Sequence, residues 1–195
     1  MRRRQNMNYK EAIRAYEPIN EQEASEKKVI LEYIEQYPHN ILLRENQLGH
    51  LTSSGFIMNK DLTKTLMVHH NIYNTWAWTG GHADGDEDLL YVAIKEAKEE
   101  TGVTQIEPLM EEIASIDILP VWGHVKKDEY VATHMHLSVA YILIADENQH
   151  LQVNEAENSG VKWIEIEALE AYCKEPQIVE IYHKLIRKAK SYKKA

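Results

Sequence analysis

Three glutamates, Glu96, Glu99 and Glu100, stand at i, i+3 and i+4 in the run EAKEE. On a helix of 3.6 residues per turn this spacing gathers them within about 100° of arc. Converging carboxylates are what a hard divalent cation such as Mg2+ or Mn2+ requires, because such ions take oxygen ligands. A cation held that way screens polyphosphate oxygens and lowers the pKa of a bound water, the chemistry needed to split a phosphoanhydride. Taken alone, the run equally describes the solvated face of a surface helix. The flanking residues favour the metal. Gly80, Gly81 and Gly85 make a glycine-rich loop whose backbone can approach a ligand closely. Asp84 followed by Glu87 has the form of a capping box, and Gly102 closes the helix directly after the acid pair. Leu90, Ile94 and Ala97 fall on an adjacent stripe that should be buried.

The string GHADGDEDLLYVAIKEAKEETGV, from Gly81 to Val103, resembles the Nudix box, GX5EX7REUXEEXGU with U a bulky aliphatic residue. Gly81, Glu87, Glu96, Glu99, Glu100, Gly102 and Val103 fall at its spacing, while Lys95 replaces the arginine and Ala97 is small for its position. Lysine keeps the positive charge but loses the planar fork of the guanidinium. The resemblance extends over roughly residues 50–170, through WAWTGGHADGDE entering the box and VKWIEIEAL near the end. It implies an α/β fold, a Nudix-type α/β/α sandwich around a mixed sheet, with added N- and C-terminal helices. The divisions expected are a helical extension over 1–45, the Nudix domain over 46–170, and a C-terminal helix over 171–195. It also implies a metal-dependent hydrolase, using Mg2+ or Mn2+, that cleaves a phosphoanhydride in a nucleoside diphosphate linked to another moiety.

The resemblance assigns roles residue by residue. Glu96, Glu99 and Glu100 would ligate the metal, with a backbone carbonyl of Gly80 or Gly81 beside them. Glu99 or Glu100 would take the proton of the attacking water, Glu99 by preference; since a carboxylate already holding a metal is a poor base, the choice between the two stays close to even. Glu87 points roughly opposite to Glu96 on the wheel, which suits a structural role at the helix start. Lys95 precedes Glu99 by four and can pair with it. Glu155 and Glu157, in the loop before Val161, are candidates for an auxiliary ligand or base.

His134 and His136 alternate with Met135 and Leu137, so both face one side of a strand. A half-wet strand surface, a substrate wall and a metal pair are all open readings. His82, beside the box glycines, and His124 are further candidates to line a substrate pocket, while His69 and His70 read as structural. Trp76, Trp78 and Trp122 can stack on a base or simply fill the core.

Hydrophobic periodicity predicts a helix over Glu21–Tyr37 and strands over His50–Met58 and Thr65–His70 joined by a turn. Further strands are expected over Ile113–Leu119, Thr133–Ala145 and Val161–Ile166, and helices over Glu87–Thr101, Glu167–Tyr172 and Gln177–Lys190. The net charge of −9 argues against duplex nucleic acid as a partner. The basic C-terminal residues, Lys184 among them, read as a solvated helix end. No apolar run is long enough to span a bilayer, and the basic start lacks the apolar core of a secretory signal. The single cysteine, Cys173, fits a reducing cytoplasm.

Two rivals accompany the hydrolase reading. A nucleotide-sensing or protein-binding module would keep the fold without turnover, and Lys95 is the residue that favours it. An isopentenyl-diphosphate isomerase resembles the same fold and uses histidine metal ligands. That chemistry requires a cysteine near the box glycines, where this chain has TGGHAD. Analogy with the family also suggests a homodimer.

Overall fold

The computed structural model describes residues 8–72, 74–126 and 128–194; the basic stretch Arg2–Arg4 lies outside them. Two helices come first, α1 (Tyr9–Ala15) and α2 (Glu21–Gln36). Four strands follow, β1 (Gly49–Asn59), β2 (Lys64–His70), β3 (Thr75–Ala77) and β4 (Thr79–His82), then α3 (Leu89–Thr101). After α3 come β5 (Ile106–Pro108), β6 (Ser115–Val121), β7 (His124–Lys126), β8 (Glu129–Val131), β9 (His134–Ala145) and β10 (Asn158–Glu165). A 3-10 turn (Ile166–Ala168) leads into α4 (Leu169–Tyr172) and α5 (Pro176–Tyr192).

The main sheet is mixed. Its spine runs β10-β2-β1-β9-β5, with β3 on β2, β4 on β1 and β6 on β9. β1 and β9 pair in parallel along their whole length, from Gly49 opposite Met135 to Asn59 opposite Ala145. Both lie at the centre, and every residue of β1 is buried, which explains why its sequence lacks a polar face.

Side-chain alternation sorts the sheet into two cores. Leu51 and Ile57 of β1 join Leu137, Val139, Tyr141 and Leu143 of β9 in a cluster with Ile13, Ile30, Leu90, Ala93 and Ala97 from α1 to α3. The alternate residues Phe56, Met58, Ala140 and Ile142 meet Leu169, Tyr182 and Leu185 of α4 and α5 on the other face. The result is the expected sandwich. Among the described residues, no helix is long and apolar enough to cross a membrane.

Two local expectations are corrected. The helix starts at Leu89, not Glu87, and its cap is Asp88, whose carboxylate accepts from the Tyr91 backbone N–H at 3.0 Å. Asp84 instead takes a positive φ of 48° and receives two hydrogen bonds from Arg44, at 2.8 and 2.7 Å. The basic C-terminal helix is also not wholly solvated. Lys184 is buried and reaches Glu23 at 2.7 Å and Asp117 at 2.9 Å, tying α5 to α2 and β6.

Candidate active site

The Gly80–Gly81 segment is strand rather than loop. It pairs antiparallel with β1, Ser54 opposite Gly80 and Ser53 opposite Gly81. The small residues of both strands let α3 lie close against them. Ser53 donates a side-chain hydrogen bond to the Leu89 carbonyl, and a Cβ on Gly81 would collide with the Glu96 carboxylate. The far end of α3 is fixed separately. Gly102 adopts a left-handed φ of 76° and closes the helix on the Lys98 carbonyl at 2.9 Å. Asn158 donates to the Glu100 carbonyl at 3.0 Å, coupling the helix end to β10.

This packing brings Glu96 and Glu100 against the strand, where Glu157 joins them from the loop before β10. Each offers a carboxylate oxygen within 4.8 Å of the others'. Burial first, then the negative Glu157 and Glu96, push the Glu100 carboxyl up to about 9, against the opposing effect of the Gly80 backbone hydrogen bond. One Glu100 oxygen, Oε2, is buried without a hydrogen-bond partner. Glu96 is raised mainly by burial, with Lys95 pulling it back and Glu99 and Glu157 adding to the rise. Three carboxyl groups held so close that they resist ionising together fit a divalent cation, whose charge would replace the protons.

Glu99 lies outside the trio. Its side chain is 53% exposed and approaches Lys95 at 4.0 Å, while Lys95 reaches Glu96 at 3.5 Å. Glu87 sits at the opposite end of α3, lining a cavity of about 520 Å³ with Tyr9, Tyr16 and Lys188. Glu155 is exposed and offers its carbonyl to Asn71. Of the two acids expected from that loop, only Glu157 joins the cluster.

The histidines form a second group. His82, His134 and His136 come together with His50, each offering a ring nitrogen within 4.8 Å of the others'. Sequence reasoning missed His50 because its link to His136 is the register of the parallel β1–β9 pair, which no local pattern reports. Burial, and then the neighbouring rings of His82, His50 and His134, push His136 down to about 2. His50 is lowered mainly by burial.

The tryptophans fall elsewhere. Trp76 packs with Lys162, whose Nζ lies 4.4 Å from the ring centroid, and with His69 and Tyr172. Trp78 stacks edge-on against Tyr182, whose hydroxyl accepts from the Trp78 backbone N–H. Trp122 is exposed, and His124 bonds to its carbonyl. His69 and His70 are held by Ser159 and by the Ile72 backbone, in keeping with a structural role.

Comparison with known proteins bears on the fold that carries this site. A family model described as NUDIX domain matches residues 49–188. The m7GpppN-mRNA hydrolase NUDT17 of Danio rerio is 30% identical over an alignment of 118 residues that covers 56% of this chain and 38% of that protein. The chain therefore spans well under half the length of this curated relative. Among solved structures, an Ap4A hydrolase of C. elegans superposes with a TM-score of 0.51 at 19% identity, covering 72% of this chain and 96% of that one. The dihydroneopterin triphosphate pyrophosphohydrolase of E. coli gives a TM-score of 0.52 at 15% identity, over 71% and 92% of the two chains. At these identities the two structures attest the fold alone.

Proposed function

Since the chain belongs to the Nudix hydrolase family, we propose that it is a divalent-metal-dependent hydrolase of a phosphoanhydride bond in a nucleoside diphosphate linked to another moiety. The observation that carries this reading is the acid trio Glu96, Glu100 and Glu157 on the box helix and the adjoining loop, with a buried Glu100 oxygen left unpartnered. These three residues would hold Mg2+ or Mn2+, with the Gly81 backbone beside Glu96 as the source of a further oxygen. The bound cation would screen the diphosphate oxygens and lower the pKa of a water.

The remaining work belongs to the chain's own groups. Glu99 stays outside the trio, so its carboxylate is free to accept the proton of the attacking water. Lys95, between Glu96 and Glu99, limits where the two carboxylates can swing. The Arg44–Asp84 pair fixes the segment that leaves β4. Names such as Ap4A hydrolase and mRNA hydrolase describe relatives; for this chain they support a nucleotide-type substrate. The buried Cys173 supports a reducing, cytoplasmic setting.

Purified protein incubated with a panel of nucleoside diphosphate derivatives and Mg2+ or Mn2+, with products resolved by chromatography, tests the proposal. Turnover that depends on the cation and is lost in Glu99→Gln and Glu100→Gln supports it. Tight nucleotide binding without turnover, unchanged by Glu99→Gln, would instead establish the sensing module that Lys95 favours.

A further inference from the structure

We propose that His50, His82, His134 and His136 form a second metal site, suited to a borderline transition-metal ion such as Zn2+ and separate from the carboxylate trio. Strand pairing builds it. His50 lies opposite His136 in the parallel β1–β9 pair, and Thr52 of β1 lies opposite His82 of β4. His134 is two residues from His136 on the same strand. Partners directly opposite share a face, as do residues two apart, so all four rings project from one side of the sheet. Adjacent residues of a strand face opposite ways. Gly81, with Glu96 against it, and His82 therefore address different faces of β4.

The rings are close and oriented. Ring centroids lie 4.9 Å apart for His50 and His82, 5.0 Å for His50 and His134, 4.9 Å for His82 and His136, and 5.2 Å for His134 and His136. The Nδ1 of His50 meets the Asn46 carbonyl at 3.0 Å, and that of His134 meets the Ala132 carbonyl at 2.8 Å. A carbonyl only accepts, so in each ring Nδ1 carries the proton and Nε2 presents a lone pair. A hydrogen bond from the second nitrogen to a carbonyl is the usual means of orienting a histidine ligand. The Nε2 atoms of His50 and His136 are buried without a hydrogen-bond partner.

Several alternatives fit these facts less well. Four rings gathered only for packing would leave two buried ring nitrogens unpartnered, which folded proteins avoid. An anion would need ring N–H donors turned toward it, whereas the Nδ1–H groups of His50 and His134 are spent on backbone carbonyls. Mg2+ prefers oxygen, while imidazole suits Zn2+, Cu2+, Ni2+ and their neighbours. Around a tetrahedral Zn2+ with Zn–N of about 2.1 Å the nitrogens stand about 3.4 Å apart, a contraction within reach of small side-chain rotations. Four protein nitrogens close the coordination sphere, so the ion would clasp β1, β4 and β9 rather than carry a reacting water.

The test needs no turnover and stands apart from the hydrolase reading. The 195-residue chain, stripped with a chelator, is titrated with Co2+, followed by its visible absorption bands, and with Zn2+ by calorimetry. The expected result is one equivalent bound in the micromolar range or tighter, unaffected by millimolar Mg2+ and retained in Glu96→Gln. Affinity should fall at least tenfold in His82→Gln and in His136→Asn. Should His136→Asn fail to fold by circular dichroism, the half-buried His134→Gln carries the same expectation. Equal Co2+ affinity in folded wild type and histidine variants overturns the proposal. So does displacement of Co2+ by Mg2+, or binding of inorganic phosphate, not Co2+, that the histidine variants abolish.

Discussion

At the scale of single residues, the acid trio trades stability for chemistry. Glu100 is buried against two other carboxylates with one oxygen unpartnered, so Glu100→Gln should raise the melting temperature of the metal-free protein. The gain expected from relieving about 1 kcal/mol is roughly 2–4 °C in a chain of this size, with hydrolysis lost in the same variant. Glu99→Gln should behave differently. Its side chain is solvated, so melting should be unchanged while kcat drops by on the order of 10²- to 10⁴-fold, as for loss of a general base. Cys173 gives a pH-dependent readout. Burial, then Glu175, push its thiol up to about 11. A folded pKa above the unfolded value near 9 adds stability that is complete below pH 9 and vanishes as the pH rises through 11. At pH 8 the thiol should therefore resist a disulfide reagent until denaturant is added, and rapid native labelling would contradict that assignment.

At the scale of elements, the two adjacent glycines of β4 separate packing from metal affinity. A Cβ on Gly80 meets the Ser54 backbone at 2.9 Å, whereas one on Gly81 meets the movable carboxylate end of Glu96. Gly80→Ala should lower the melting temperature. Gly81→Ala should melt near wild type but need more Mg2+ for half-maximal turnover. Gly102→Ala combines a left-handed backbone with a contact to the Gln152 nitrogen at 2.8 Å, and should cost at least about 1–2 kcal/mol from the backbone conformation alone. Much of this architecture was legible from pattern: α2, α3 and α5 from helical periodicity, and β1, β2, β9 and β10 from strand-like runs. Gly80–Gly81 read as loop because glycine has low strand propensity, yet the pairing with β1 uses only backbone and a side chain would not fit. α1, β5 and the β7–β8 hairpin, each seven residues or fewer per element, are too short for periodicity to register.

At the scale of the whole molecule, the sites depend on contacts between distant parts of the chain. The carboxylates of α3 could be found from spacing, and Glu157 stood as one of two loop candidates, but His50 could not be found, since it reaches its cluster through the pairing of distant strands. The same holds for Lys184, whose charge suggested solvent and whose position buries it between Glu23 and Asp117. Lys184→Met would leave both acids buried without their cation and should cost about 3–5 kcal/mol, read as an earlier denaturation midpoint with the slope unchanged. The parallel β1–β9 pair has a kinetic consequence. Strands β2 to β8 lie between its two partners in the chain, so a long loop must close before either constellation exists. A cation that binds only the completed arrangement has nothing to grip in the unfolded chain or early in the search. Metal should accordingly leave the refolding rate unchanged in a stopped-flow experiment and slow unfolding alone, making occupancy a determinant of how long each molecule lasts rather than of how quickly it forms.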